Sequence, residues 1–389
     1  MSDDFDPAVD AYANATFCDI CGRESCEDHV PPTPEAAATE TPYELRLRVA
    51  VEMERVRREA RRLVDAELRP VAPKPPRQEL RAFLATPDPP RPARIAGWQP
   101  ANSRILVSAQ YKSGKSVLVH NWLRSLVDGD PFLGRDTVVA IDGTAALIDL
   151  ELDPGQAKTW LRRQCIRDDD RISYYNLKGA AASFNLMDDA AREAWATDLR
   201  AHNTQALAFD CVRPVLDAIG LDEQKDAGQF LSAFDALLAE AGIRDALVVT
   251  HMGHTGERAR GDSRFRDWPD AEWRLMRKDD NPRSQRFIAA YGRDVDIPES
   301  SLVYDTLSQH LTIEDGSRAT VALRDALDAI EALLAIEEPL SGRGIKDALA
   351  GGEHARNTIE AALRCGVREH VLAVTPGAHN ANLYRRVGG

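Results

Sequence analysis

The segment Arg104–Ile105–Leu106–Val107–Ser108–Ala109–Gln110–Tyr111–Lys112–Ser113–Gly114–Lys115–Ser116 constrains the chain more than any other stretch. An apolar β-type run leads into A-x-x-x-x-G-K-S, and the spacing after it predicts an amphipathic helix over Val117–Val127. A strand, a short loop and a helix in that order build an anion cradle, because N–H groups of the loop and the helix N-terminus converge on one point. Gln110, Tyr111, Lys112, Ser113, Gly114, Lys115, Ser116 and Val117 are its expected lining. Lys115 would add charge beside the β- and γ-phosphates of ATP, and the Ser116 hydroxyl suits one position on Mg2+. Ala109 stands where such loops usually begin with glycine, which requires a negative φ there.

A phosphate loop needs a carboxylate on a neighbouring strand to organise Mg2+. Gln205–Ala206–Leu207–Ala208–Phe209–Asp210 is an apolar strand ending in Asp210, which fits that role. Hydrolysis also needs a group that positions water. Asp149, Glu151 and Asp153 alternate along a strand ending near Pro154, so a period of two puts them on one face. Glu151 has the longest reach and is expected to be the general base. A further strand, Asp245–Thr250, runs into His251, which would either sense the γ-phosphate or cap its own loop. The following basic loop, 253–267, holds Arg258, Arg260, Arg264 and Arg266 among three glycines. It can contact nucleic-acid phosphates, donate an arginine to a neighbour's ATP, or be an ordinary surface loop. Arg293, after the strand that starts at Arg286, is the first choice for a finger acting in trans; an ion pair with Asp294 or Asp296 is the plainer reading.

The 389 residues divide at shifts of composition. Residues 1–42 form an acidic tail containing Cys18-x2-Cys21-x4-Cys26-x2-His29, four ligands suited to a tetrahedral Zn2+. The acids between them favour a structural staple or a protein contact over nucleic acid. Cys165, Cys211 and Cys365 are scattered and read as packing residues. Residues 43–69 place Leu45, Val49, Met53, Val56, Ala60 and Leu63 on one stripe of a charged helix. That helix would dock on a neighbour, or serve as an oligomerisation or nucleic-acid arm. Nine of the 22 prolines fall within residues 70–100, so 70–93 reads as a semi-rigid linker. Strand and helix patterns alternate from about Arg104 to Ile313, within an expected domain of residues 94–316. Residues 317–389 predict three helices and a hairpin: a stripe of Leu323, Leu327, Ile330 and Leu334, then Gly342–Ala350, then His354–Arg364 ended by Gly366. This last unit is winged-helix-like, with Arg356, Asn357 and Arg364 as candidate DNA contacts, or a protein-docking module.

The net charge of −13 excludes indiscriminate nucleic-acid binding over the whole surface but permits local basic patches. No apolar run is long enough to span a membrane, and the acidic start lacks the features of a secretory signal, so the expected location is cytoplasmic.

Taken in order, AQYKSGKS, LIDLELDP, LAFDCVRP, VVTHMGHTGERARGDSRFRDWPDAEW and RFIAAYGRD resemble the RecA-superfamily ATPases related to RepA-like hexameric replicative helicases, of the kind found in actinobacteria and their phages. The resemblance spans about residues 94–313. It implies an α/β fold: a RecA-like P-loop core with a central, mostly parallel sheet, ATP hydrolysis at subunit interfaces of a ring, and single-stranded DNA in a central channel. It implies Lys115 and Ser116 at the nucleotide, Asp210 at Mg2+, Glu151 as catalytic glutamate and His251 as sensor. The finger is left among Arg258, Arg260 and Arg293. The expected output is DNA translocation or unwinding in replication, with a replication protein engaged by the terminal modules. The alternative is an ATP-gated DNA-binding or helicase-loading protein that does not unwind.

Overall fold

The computed structural model describes residues 41–68, 76–87, 92–252, 264–279, 281, 283–349 and 354–387. The proposed zinc ligands Cys18, Cys21, Cys26 and His29, and the loop arginines Arg258 and Arg260, lie outside the described residues. The chain divides into two compact units, Met1–Asp88 and Pro89–Gly389.

In the first unit, helix α1 spans Pro42–Leu68. A reciprocal cap starts it: Glu44 N–H donates to Thr41 Oγ1 at 3.3 Å, and Thr41 N–H donates to Glu44 Oε2 at 2.7 Å. Leu45, Val49, Met53, Val56 and Leu63 stay exposed along it. The Pro-rich stretch is not wholly extended. Its Pro-free interval forms a short helix, α2, over Leu80–Leu84.

The second unit begins earlier than the sequence pattern suggested, with β1 (Ala93–Ile95) pairing antiparallel to β2 (Gln99–Pro100). Then follow β3 (Arg104–Ala109), α3 (Lys115–Asp128), β4 (Thr144–Asp149), α4 (Pro154–Arg163), β5 (Ile172–Asn176), α5 (Asp189–Ala201) and β6 (Thr204–Asp210). Next come α6 (Val212–Ala218), α7 (Ala227–Ala241), β7 (Asp245–His251), α8 (Arg264–Asp267), β8 (Ala271–Arg277), β9 (Arg286–Gly292), β10 (Asp296–Tyr304) and β11 (Leu311–Glu314). Nine strands form one mixed sheet in the order β11-β10-β9-β8-β3-β7-β6-β4-β5. The pairs from β8 to β5 are parallel, and β9, β10 and β11 join antiparallel.

The parallel strands inside the sheet are buried on both faces, which explains their unbroken apolar runs, while the edge strand β5 is half-buried. On one face Ile105, Val107, Leu147, Ala208 and Val249 pack with Leu118, Trp122 and Leu126 of α3. On the other, Leu106, Ile148, Leu207, Phe209 and Val248 pack with Phe230 and Phe234 of α7. Each buried Val, Leu, Ile or Phe side chain contributes roughly 1.5–3 kcal/mol by leaving water. Residues Ser116–Val127 of α3 are buried without a break, so this helix is not the amphipathic one its pattern suggested. It packs on β4, β6 and β11 of the sheet, and its His120 meets Trp160 of α4 edge-on.

The remaining elements are α9 (Arg318–Leu334), β12 (Leu340–Ser341), α10 (Gly342–Ala348), α11 (Arg356–Arg368), β13 (Leu372–Pro376) and β14 (Asn382–Arg386). Their sheet runs β12-β14-β13, antiparallel throughout. Leu327, Ile330, Ile345, Ile359, Leu363 and Leu372 share a separate core. Gly366 does not end α11. The helix continues to Arg368, and Gly366 lets it approach its neighbours: a Cβ there would meet Leu327 and Leu372 at 2.8 Å.

Candidate functional site

The C-terminal ends of β3, β7, β6 and β4 gather on one sheet edge, in that lateral order. Ala109 pairs with His251, and Asp149 with Asp210, so the chemistry-bearing residues of four strands arrive side by side. The loop after β3 is built to present N–H groups. Ser113 N–H donates to Gln110 O at 3.1 Å, and Gly114 caps α3 at φ +99°, a conformation that glycine adopts without strain. Ala109 is buried, ends β3 and is not among the positive-φ residues, so it needs no glycine.

Two side chains after this loop reach the neighbouring strand ends. Ser116 Oγ donates to Asp210 Oδ2 at 2.6 Å, with both residues buried. Lys115 Nζ donates to Glu151 Oε2. Cys211 Sγ lies 3.3 Å from the other Glu151 oxygen, Oε1, and His251 Nε2 lies 3.6 Å from it. The structure therefore brings Lys115, Ser116, Glu151, Asp210 and His251 into one cluster.

The charges are strongly coupled. Burial pushes the Asp210 carboxyl up to about 6, against the pull of Lys115. Burial also disfavours charge on Glu151, but His251 and the Lys115 ammonium outweigh it and hold this carboxyl at about 2. Burial alone would lower the Lys115 ammonium; the Asp210 and Glu151 carboxylates instead hold it above its ordinary value. Burial pushes the Cys211 thiol up, so it stays protonated.

The donor set fits Mg2+. Asp210 Oδ1 is buried and makes no hydrogen bond, leaving a hard oxygen lone pair beside the Ser116 hydroxyl. A carboxylate oxygen held dry without a donor is costly unless a cation or its water completes it.

Two expectations need correction. Asp149, Glu151 and Asp153 do not share a strand face, because β4 stops at Asp149. Asp149 Oδ1 instead accepts from Glu151 N–H at 2.9 Å and Leu152 N–H at 3.0 Å, shaping the turn that carries Glu151. Asp153 caps α4, accepting from Gly155 and Gln156 N–H. Cys165 is exposed, and Cys211 touches Glu151 besides packing; among the scattered cysteines, Cys365 is buried as expected.

Arg293 follows β9 and its N–H bonds Asp270 O, just before the start of β8. Because β9 is antiparallel to β8, Arg293 sits at the sheet edge opposite the phosphate loop. The same reversal brings Arg286 to the loop, where its Nε donates to Ser113 O at 2.8 Å and its guanidinium lies 5.4 Å from the Tyr304 ring centre. Sequence reading missed Arg286, since a strand's direction is not written in its pattern. It also missed the site position of Cys211, although adjacency to Asp210 was a usable signal.

Residues 69–257 match a family model described as an AAA domain, a span holding the loop, Glu151, Asp210 and His251. No curated protein matches the chain. Among solved structures, a KaiC-like protein of the hyperthermophilic archaeon Pyrococcus horikoshii matches at 14% identity and a TM-score of 0.44, covering 58% of this chain and 99% of that one. The core is an α/β fold whose mixed, mostly parallel sheet carries the A-x-x-x-x-G-K-S loop between β3 and α3. No helix among the described residues is long and apolar enough to cross a membrane.

Proposed function

We propose that this protein is an Mg2+-dependent ATPase of the RecA class that works as a ring on DNA in the cytoplasm, in the manner of a replicative helicase. The observation that carries the reading is the convergence of Lys115, Ser116, Asp210, Glu151 and His251 at one edge of the parallel part of the sheet. The loop N–H groups and Lys115 bind and orient the triphosphate. Mg2+, held by Ser116 and Asp210, would offset phosphate charge. Glu151, ionised well below neutral pH, accepts a hydrogen bond from the attacking water and aligns it with the γ-phosphorus. Lys115 is paired with Glu151, and its turning to phosphate would release the carboxylate for water. His251 reports the γ-phosphate through its contact with Glu151.

A neighbouring subunit supplies the remaining cation, from Arg258, Arg260 or Arg293. The helix–strand–helix–helix–hairpin order of residues 318–386 supports a winged-helix reading. Its helix α11 carries Arg356, Asn357 and Arg364 as candidate DNA contacts, although Arg356 is engaged by Asp347 and Arg364 by Glu360. Those pairings favour the second reading, an ATP-gated loader or assembly protein whose C-terminal unit docks on protein. The N-terminal Cys/His group would be a structural zinc knuckle.

Steady-state ATP turnover with and without single-stranded DNA separates the two readings. DNA stimulation, abolished in both Lys115→Ala and Glu151→Gln, supports the motor. Turnover indifferent to DNA removes it and leaves the loader.

A further inference from the structure

Glu151 uses its two oxygens differently. Oε2 takes the Lys115 ammonium, whereas Oε1 faces a thiol and an imidazole. Cys211, His251 and Glu151 each offer a ligand atom within 4.8 Å of the other two, and Cys211 Sγ and His251 Nε2 stand 3.3 and 3.6 Å from Glu151 Oε1. Ligand atoms about 2.0–2.3 Å from a tetrahedral Zn2+ stand roughly 3.3–3.8 Å apart, so small side-chain movements close this triangle on a metal. Each ligand lies at or just past the end of a different strand: His251 ends β7, Cys211 follows β6, and Glu151 is in the turn after β4.

We infer that Glu151, Cys211 and His251 form a site for a thiophilic divalent cation such as Zn2+, distinct from the Mg2+ position at Ser116 and Asp210. The ligand chemistry separates the two. Thiolate and imidazole select Zn2+ over Mg2+, while the hydroxyl and carboxylate at Ser116 and Asp210 suit the harder ion. On binding, the Cys211 S–H bond breaks, a Zn–S bond forms, and the proton leaves to solvent. No electron changes hands. The fourth position stays open to water. A cation here holds Oε1, the oxygen that no lysine occupies, and removes Glu151 from water positioning. The site is thus inhibitory, a consequence that rests on the function proposed above.

The test uses the full chain carrying Cys18→Ser, Cys21→Ser and Cys26→Ser, so that the N-terminal cysteines do not contribute, with Co2+ as a spectroscopic probe. We expect one equivalent of Co2+ to give tetrahedral visible bands and a thiolate charge-transfer band. Both are lost in Cys211→Ser and weakened at least tenfold in His251→Ala, with melting curves confirming that each variant is folded. Added Zn2+ should lower ATP turnover at least tenfold under saturating Mg2+ and ATP, reversibly with a chelator. The residual activity of Cys211→Ser, whatever its level, should not respond to Zn2+. Absence of a Cys211-dependent Co2+ spectrum overturns the site, as does equal Zn2+ inhibition of the Cys211→Ser variant. A Cys211-dependent spectrum with no effect of Zn2+ on turnover leaves the metal site standing and overturns the role given to Glu151.

Discussion

Replacing Asp210 by asparagine isolates the cost of burying a carboxylate where Mg2+ is expected. Burial lifts this carboxyl from an ordinary 3.8 to about 6. Between those values the folded chain binds more protons than the unfolded one. Stability therefore falls as pH rises through the window and stays lower above it. At pH 8 that difference is worth about 3 kcal/mol. Asparagine removes the charge and keeps an oxygen for the Ser116 hydroxyl, but it puts an N–H donor where Oδ1 is buried, at a cost of about 1–3 kcal/mol. The net gain at pH 8 is thus small. The pH dependence is the larger signal, because the donor cost is constant and the charge cost is not. The melting temperature of Asp210→Asn minus that of the unsubstituted chain should climb by about 3 °C between pH 4.5 and pH 8, without nucleotide or Mg2+. Circular dichroism melts would measure it. A difference that does not change with pH would refute the claim that Asp210 is a dry, destabilised carboxylate.

Three further outcomes follow from the geometry. Glu151→Gln should lower kcat by about 10^2–10^4 while ATP affinity, measured by equilibrium binding, stays within a few-fold. Arg286→Met removes the donor to Ser113 O and should raise KM for ATP by about tenfold with a smaller change in kcat, as steady-state kinetics would register. Gly366→Ala drives a Cβ into Leu327 and Leu372 and should destabilise the C-terminal core by about 1–3 kcal/mol, seen as faster proteolysis within 318–386 with nucleotide binding retained.

The strand–loop–helix unit around Gly114, Lys115 and Ser116 was readable from sequence because its signals are local and contiguous. The strands ending in Asp210 and His251 were readable because burial on both faces leaves an unbroken apolar run with a polar end. The arrangement around Glu151 was not. Alternation suggested that the strand continued to Asp153, but Asp149 folds back on the Glu151 and Leu152 amides and ends it. Arg286 and Arg293 show the same limit on a larger scale. Both belong to one segment, and only the antiparallel entry of β9 decides which of them meets the phosphate loop. The helical pattern over Val117–Val127 misled for another reason: its polar residues His120, Asn121 and Ser125 are buried, with Asn121 bonded to Val117 O and Gln309 O.

The central claim is that the edge formed by β3, β7, β6 and β4 hydrolyses ATP with Glu151 positioning the water. Single-turnover hydrolysis, measured beside equilibrium ATP binding for the unsubstituted chain, Lys115→Ala and Glu151→Gln, tests it directly. The account predicts binding and hydrolysis in the first, loss of both in Lys115→Ala, and binding without hydrolysis in Glu151→Gln. Hydrolysis at an unchanged rate in Glu151→Gln would contradict it.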